Sequence, residues 1–200
     1  MGAYEEDRYP WLRDEHQLLQ EAIALDLPTL GVCLGSQLIA KAAGARVGLG
    51  SEKEVGWYSL MLTPEGKRDP LFSEFPETFD AFEWHGDVSD LPPGGLRLAS
   101  SERYLTQAFR VGHRVYGLLF HLEVTASMVR KMVEAFGDEL AGPDGPPRRN
   151  AILADLDHRA GDLNLGARRL FGAFLGLMGG GAAPQKVTVT ERRLRPQKSG

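Results

Sequence analysis

Leu27-Pro28-Thr29-Leu30-Gly31-Val32-Cys33-Leu34-Gly35-Ser36-Gln37 is the stretch on which the reading of this chain turns. Residues 27–32 read as a short buried strand, and residues 36–43 as a helix that stops at Gly44. Between them, Gly31-Val32-Cys33-Leu34-Gly35 has the spacing of a nucleophile elbow. Small residues on either side let the backbone turn sharply from strand to helix while the side chain between them points out at the end of the sheet. The only cysteine of the chain falls on this turn. A helix N-terminus favours negative charge, and so favours a thiolate there. Free cysteine is also among the most buried residue types, so the elbow by itself fits both a structural thiol and a nucleophile.

A second segment bears on that choice. Val115-Tyr116-Gly117-Leu118-Leu119-Phe120 reads as a buried strand that runs into His121-Leu122-Glu123. Alternation along a strand puts His121 and Glu123 on one side. A carboxylate beside an imidazole fixes its tautomer and stabilises the imidazolium formed when a thiol gives up its proton. The pair alone is a weak signal, but after a buried strand and with an elbow cysteine upstream it points to a Cys-His-Glu triad.

These residues resemble the class I, triad-type glutamine amidotransferases, and within them stand-alone members similar to the glutaminase domain of GMP synthase. Gly31-Val32-Cys33-Leu34-Gly35-Ser36-Gln37 is similar to the family's nucleophile motif. Phe120-His121-Leu122-Glu123 is similar to its Phe-His-Pro-Glu motif, with Leu122 in place of the proline. Trp84-His85-Gly86-Asp87 resembles the loop that cups the α-amino and α-carboxyl groups of glutamine. The resemblance covers roughly residues 1–135 in order. It implies an α/β fold, flavodoxin-like, with a mainly parallel sheet flanked by helices. Cys33 would be the nucleophile, His121 the base and Glu123 its orienter. Substrate contacts would come from the Leu34 amide, Gln37, and the backbone of His85, Gly86 and Asp87. In the family, earlier strands and an oxyanion loop precede the elbow, so the chain is expected to be N-terminally truncated, with the first strands missing. Losing one of two oxyanion donors costs about a hundred- to a thousandfold in turnover.

The 200 residues carry a formal net charge of −4, which argues against a nucleic-acid surface. No apolar run is long enough for a membrane span. A lone cysteine forbids an intrachain disulfide and a Cys-based zinc site, and suits a reducing cytoplasm. The expected organisation is an amidotransferase-like domain over 1–140, a helical extension over 141–178 and a disordered basic tail over 179–200. Within it, helices are expected over 11–26, 125–136, 148–156 and 163–178. Leu12, Leu18, Leu19, Ala22 and Ile23 form the apolar stripe of the first, and Leu170, Phe171, Phe174 and Leu175 dock the last. Strands are expected over 46–49, 55–62, 79–84, 96–100, 106–111 and 115–120, with a hairpin turn at Gly112-His113.

His85 with Asp87 does not supply a metal ligand set, and Glu52, Glu54 and Glu83 read as surface charges. No glycine-rich segment has the context of a phosphate loop, so no cofactor is implied. Three functions remain open at this level. The resemblance implies a glutaminase that hydrolyses the γ-carboxamide of glutamine through a γ-glutamyl thioester, with a separate ammonia-accepting synthetase as partner. A γ-glutamyl peptidase acting on γ-glutamyl conjugates uses the same chemistry. A truncated interaction module without activity is the third.

Overall fold

The computed structural model describes residues 1–140, 145–154 and 156–179. The loop read over 141–147 falls partly outside these residues, and the basic tail falls outside them from residue 180 onward. The chain runs α1 (Leu12–Ala24), β1 (Thr29–Val32), α2 (Leu34–Ala42), β2 (Val47–Leu62), β3 (Thr78–Ser89), β4 (Leu96–Ser100), β5 (Ala108–Val111) and β6 (Val115–Leu118). Helices α3 (Ala126–Ala135), α4 (Gly145–Leu153) and α5 (Leu156–Gly179) follow.

The six strands form one sheet in the order β1-β6-β5-β4-β2-β3. Alternation along β5 and β6 sends side chains to two apolar layers. Ala108, Tyr116 and Leu118 face a core completed by Val129 and Val133 of α3, Ile152 of α4 and Leu156, Leu163 and Leu170 of α5. Phe109 and Val115 face the opposite way, onto Ile39 and Ala40 of α2 and Leu19 and Ile23 of α1. This is the helix–sheet–helix layering of the expected α/β class.

The sheet is mixed, which corrects the expectation of a mainly parallel one. Among the described residues only β1 and β6 pair in parallel, and the other four pairings are antiparallel. A parallel return needs a crossover of a dozen or more residues, whereas β5 reaches β6 through three, at Gly112-His113-Arg114. Asp26 holds that hairpin by accepting from the His113 and Arg114 amides at 2.9 and 3.0 Å.

Three local differences matter for the site. Strands expected over 46–49 and 55–62 are one strand, β2, in which residues 50–53 bulge out between the pairs Leu49↔Asp87 and Glu54↔His85. The segment read as a loop at 85–87 lies inside β3. Residues 119–123 lie beyond β6, yet His121 forms an antiparallel bridge with Phe82 on the free edge of β3. The sheet therefore curls until its last strand meets the chain that leaves β6. Elsewhere, Leu18 and Leu175 are 60% and 62% exposed and do not join the stripes assigned to them. The helices expected over 148–156 and 163–178 are α4 and a single α5 of 24 residues.

A buried polar knot ties the turn before β3 to the sheet. Asp69 Oδ1 accepts from the Leu71 amide at 2.9 Å and from the Tyr116 hydroxyl at 3.2 Å, while Oδ2 lies 3.0 Å from Arg110 Nε. Breaking a buried pair leaves an uncompensated charge, at about 3–5 kcal/mol. D69A is expected to lose stability on that scale in urea denaturation, and D69N, which keeps an acceptor oxygen, to lose less. A loss of under about 1 kcal/mol for D69A would show that water satisfies Arg110 and Tyr116 instead.

Candidate active site

Cys33 sits between β1 and α2 with φ 50° and ψ −109°, a left-handed backbone that a non-glycine residue holds only under strain. Two contacts impose it. The Cys33 amide donates to the Leu118 carbonyl at 2.8 Å, locking the turn to β6. Gly31 packs so closely on the Gly35 backbone that a Cβ there would overlap the Gly35 carbonyl. Gly35 differs: a Cβ on it would meet nothing, so of the two elbow glycines only Gly31 is required by contact. The Cys33 carbonyl accepts from Ser36 Oγ at 2.7 Å, and Leu34 opens α2, where the first amides have no intrahelical acceptor.

His121 and Glu123 come together as the sequence predicts, though by a different local route. Instead of a continuing strand, the bridge to Phe82 sets the ring, with His121 N to Phe82 O at 2.8 Å and Phe82 N to His121 O at 3.2 Å. His121 Nδ1 lies 2.6 Å from Glu123 Oε1. Leu122, between them, is buried in the main core, so proline is not needed to turn it away. Burial of the His121 ring disfavours its cation, but hydrogen bonds to Cys33 and Glu123 outweigh that and push its pKa up to about 10. Burial likewise works against the Glu123 carboxylate. The His121 hydrogen bond and charge, with the amides of Glu123 and Leu122, outweigh it and hold Glu123 below its usual range. A thiol, an imidazole and a carboxylate are thus neighbours, with His121 responding to both Cys33 and Glu123.

The other expected contact residues sit at the same end. Gln37 Nε2 donates to the Asp87 carbonyl at 3.1 Å, tying the elbow helix to β3. Part of its side chain is thereby committed to the protein itself. The Asp87 carboxylate accepts from the Tyr4 hydroxyl at 3.3 Å. His85 does not turn its ring toward Cys33. Its Nε2 lies 3.2 Å from Glu54 Oε2 and 3.3 Å from Glu83 Oε2, with all three side chains no more than 1% exposed.

This cluster corrects the reading of Glu54 and Glu83 as surface charges. Glu83 lies between Phe82 and Trp84 on a strand covered on both faces, and Glu54 is the ladder partner of His85. A carboxylate set among apolar strand residues was the available signal. Among the described residues, Glu54, Glu83 and His85 are the three that could close on a metal ion. Their spacing equally suits an imidazolium between two carboxylates, and both Glu54 oxygens already accept, from Ser101 at 2.9 Å and from Gln107 at 2.6 Å. We read the cluster as a buried ion network.

The family model "Glutamine amidotransferase class-I" matches residues 5–139. The chain belongs to the class I glutamine amidotransferase family. It is 37% identical over 133 residues to the glutamine amidotransferase-like protein YfeJ of Salmonella typhimurium, covering 66% of this chain and 56% of YfeJ. It is 35% identical over 130 residues to a glutamine-hydrolysing GMP synthase subunit from Thermococcus kodakarensis, covering 60% of this chain and 66% of that relative. A solved glutamine amidotransferase from Thermotoga maritima superposes with a TM-score of 0.78 at 38% identity, over 88% of this chain and 74% of that one. The chain thus spans little more than half the length of YfeJ. Among the described residues no helix is long and apolar enough to cross a membrane.

The buried cluster gives a pH signature. Burial alone would lower the His85 pKa, but the hydrogen bonds and charges of Glu54 and Glu83 raise it to about 9 from 6.5. The folded state therefore binds a proton that the unfolded state releases. This stabilisation is complete below about pH 6.5 and is lost as pH rises through about 9. Burial also pushes the Glu83 pKa up, so E83Q removes both a group that raises His85 and a second proton-binding group, and its unfolding free energy is expected to fall less steeply than the wild type's between pH 7 and 9. Parallel curves from denaturation at stepped pH would refute the assignment.

Proposed function

We propose that this amidotransferase-family chain hydrolyses γ-glutamyl amides, with the γ-carboxamide of glutamine as the substrate class. The observation that carries this reading is the strained elbow cysteine, Cys33, beside a largely buried His121 whose Nδ1 lies 2.6 Å from Glu123 Oε1. His121 accepts the thiol proton and Cys33 Sγ attacks the carbonyl carbon. The Leu34 amide, at the open start of α2, receives the developing oxyanion. Collapse of the tetrahedral intermediate breaks the C–N bond, and His121 hands its proton to the departing ammonia. Water then attacks the γ-glutamyl thioester with His121 as base, releasing glutamate and restoring the thiol. Glu123 keeps the ring oriented throughout. Gln37 and the backbone of His85, Gly86 and Asp87 form the wall that receives the amino-acid end of the substrate. The chemistry calls for no cofactor.

Ammonia released in this way needs an acceptor, so a separate synthetase is the partner that the reading implies. The likeness to a GMP synthase subunit supports it. A cytoplasmic location fits a reactive unpaired thiol.

The test compares ammonia release from L-glutamine with amine release from L-γ-glutamyl-p-nitroanilide. C33A is expected to abolish turnover, and H121A to lower it by about 10²- to 10⁴-fold, the range for losing a general base. Preference for glutamine identifies a glutaminase, and preference for the conjugate a γ-glutamyl peptidase. No turnover of either, together with no labelling of Cys33 by a glutamine analogue carrying a γ-electrophile, would overturn the reading in favour of an interaction module.

A further inference from the structure

Behind the candidate site lies a set of buried polar side chains that the proposed chemistry does not use. Glu54, Glu83, His85, Ser101 and Gln107 are all buried, and they come from β2, β3 and the segment joining β4 to β5. Ser101 Oγ and Gln107 Nε2 donate to the two Glu54 oxygens, and Gln107 Nε2 also lies 3.2 Å from Ser101 Oγ. Among the described residues, Glu83 has no hydrogen-bond partner beyond its ion contact with His85. Taking two carboxylates out of water costs several kcal/mol per ion, so a buried ion network is poor evidence for stability. Its better-attested use is to fix one arrangement out of several.

The arrangement fixed here is a register. The β2–β3 ladder breaks between Leu49↔Asp87 and Glu54↔His85, and residues 50–53 are accommodated opposite Gly86. Tyr104 staples that bulge, its hydroxyl donating to the Glu52 carbonyl at 2.5 Å and accepting from the Glu52 amide at 2.9 Å. Where pairing resumes decides where Gly86 and Asp87 lie, because a slip of one residue would turn every side chain to the other face. Glu54 facing His85 marks the resumption point. Two residues on, the Asp87 carbonyl meets Gln37 of the elbow helix. Cys33 and His121, by contrast, are held by their own contacts to Leu118 and Phe82.

We propose that Glu54 is a positioning residue for substrate binding. Together with Glu83 it grips His85, and so holds the Gly86–Asp87 backbone opposite Gln37 as the wall that takes the amino-acid end of a γ-glutamyl substrate. This rests on the γ-glutamyl reading above. Loss of the grip weakens binding of ground state and transition state alike, so KM rises while kcat is kept.

The experiment measures kcat and KM of the full chain with L-glutamine and L-γ-glutamyl-p-nitroanilide, together with the rate of Cys33 alkylation by iodoacetamide. E54Q is expected to raise KM by about tenfold or more, as for a lost hydrogen bond to a charged group, with kcat within about threefold and alkylation unchanged. The double variant E54Q/Q107E, which moves the carboxylate to the neighbouring side chain, is expected to bring KM back toward the wild-type value. A kcat that falls at constant KM, or a KM that does not move, overturns the positioning role. If E54Q is recovered unfolded, E83Q carries the same test: the same rise in KM is expected, and an unchanged KM overturns the proposal. A wild type that turns over neither compound overturns the γ-glutamyl reading and this role with it. Turnover with an unmoved KM in the variants overturns the role alone.

Discussion

Two backbone hydrogen bonds between Phe82 and His121 hold the sheet of this structure in its curled shape. They join the free edge of the last strand in the sheet to a residue beyond the strand next to its opposite edge. They cover the β3 edge at Phe82, whose amide and carbonyl would otherwise be bare. With them, the sheet curls and the segment 119–123 has a fixed path. That path puts the His121 ring over the elbow, where Cys33 is already tied to Leu118. One pairing therefore closes the sheet onto the segment that carries His121.

The strain at Cys33 follows from the same framework. A left-handed cysteine costs about 1–3 kcal/mol and persists only where its surroundings over-determine it. Here the Leu118 carbonyl fixes the amide, and the close packing of Gly31 on Gly35 leaves the turn no room to relax. The side chain is left half-buried at the edge of the sheet rather than in the core.

Two imidazole–carboxylate groups stand near each other and are built for different ends. His121 and Glu123 keep side-chain exposures of 14% and 35%, enough for the pair to meet a ligand. His85, Glu54 and Glu83 are sealed. The first group is open to solvent on one side, whereas the second is closed off from it. Burial opposes the charged form of both histidines, and in both the neighbouring groups win. The strand Phe82-Glu83-Trp84-His85 links them, with its backbone serving His121 and its side chains serving the sealed cluster.

The sequence by itself determined the elbow, the His-Glu pair, the apolar periods of most helices and strands, and the resemblance those motifs carry. These are local patterns. A glycine spacing and a two-residue alternation are written within a few residues of one another. Only the tertiary structure decided the direction of the strands, the continuity of β2 and β3 through 47–54 and 84–89, and the burial of Glu54 and Glu83. Those depend on partners far along the chain: His85 lies 31 positions from Glu54, and Gln107 lies 53. A glutamate in a strand reads as a surface charge until an imidazole and an amide from distant parts of the chain are seen to meet it. The free energy that permits its burial resides in those partners and not in its neighbours in sequence.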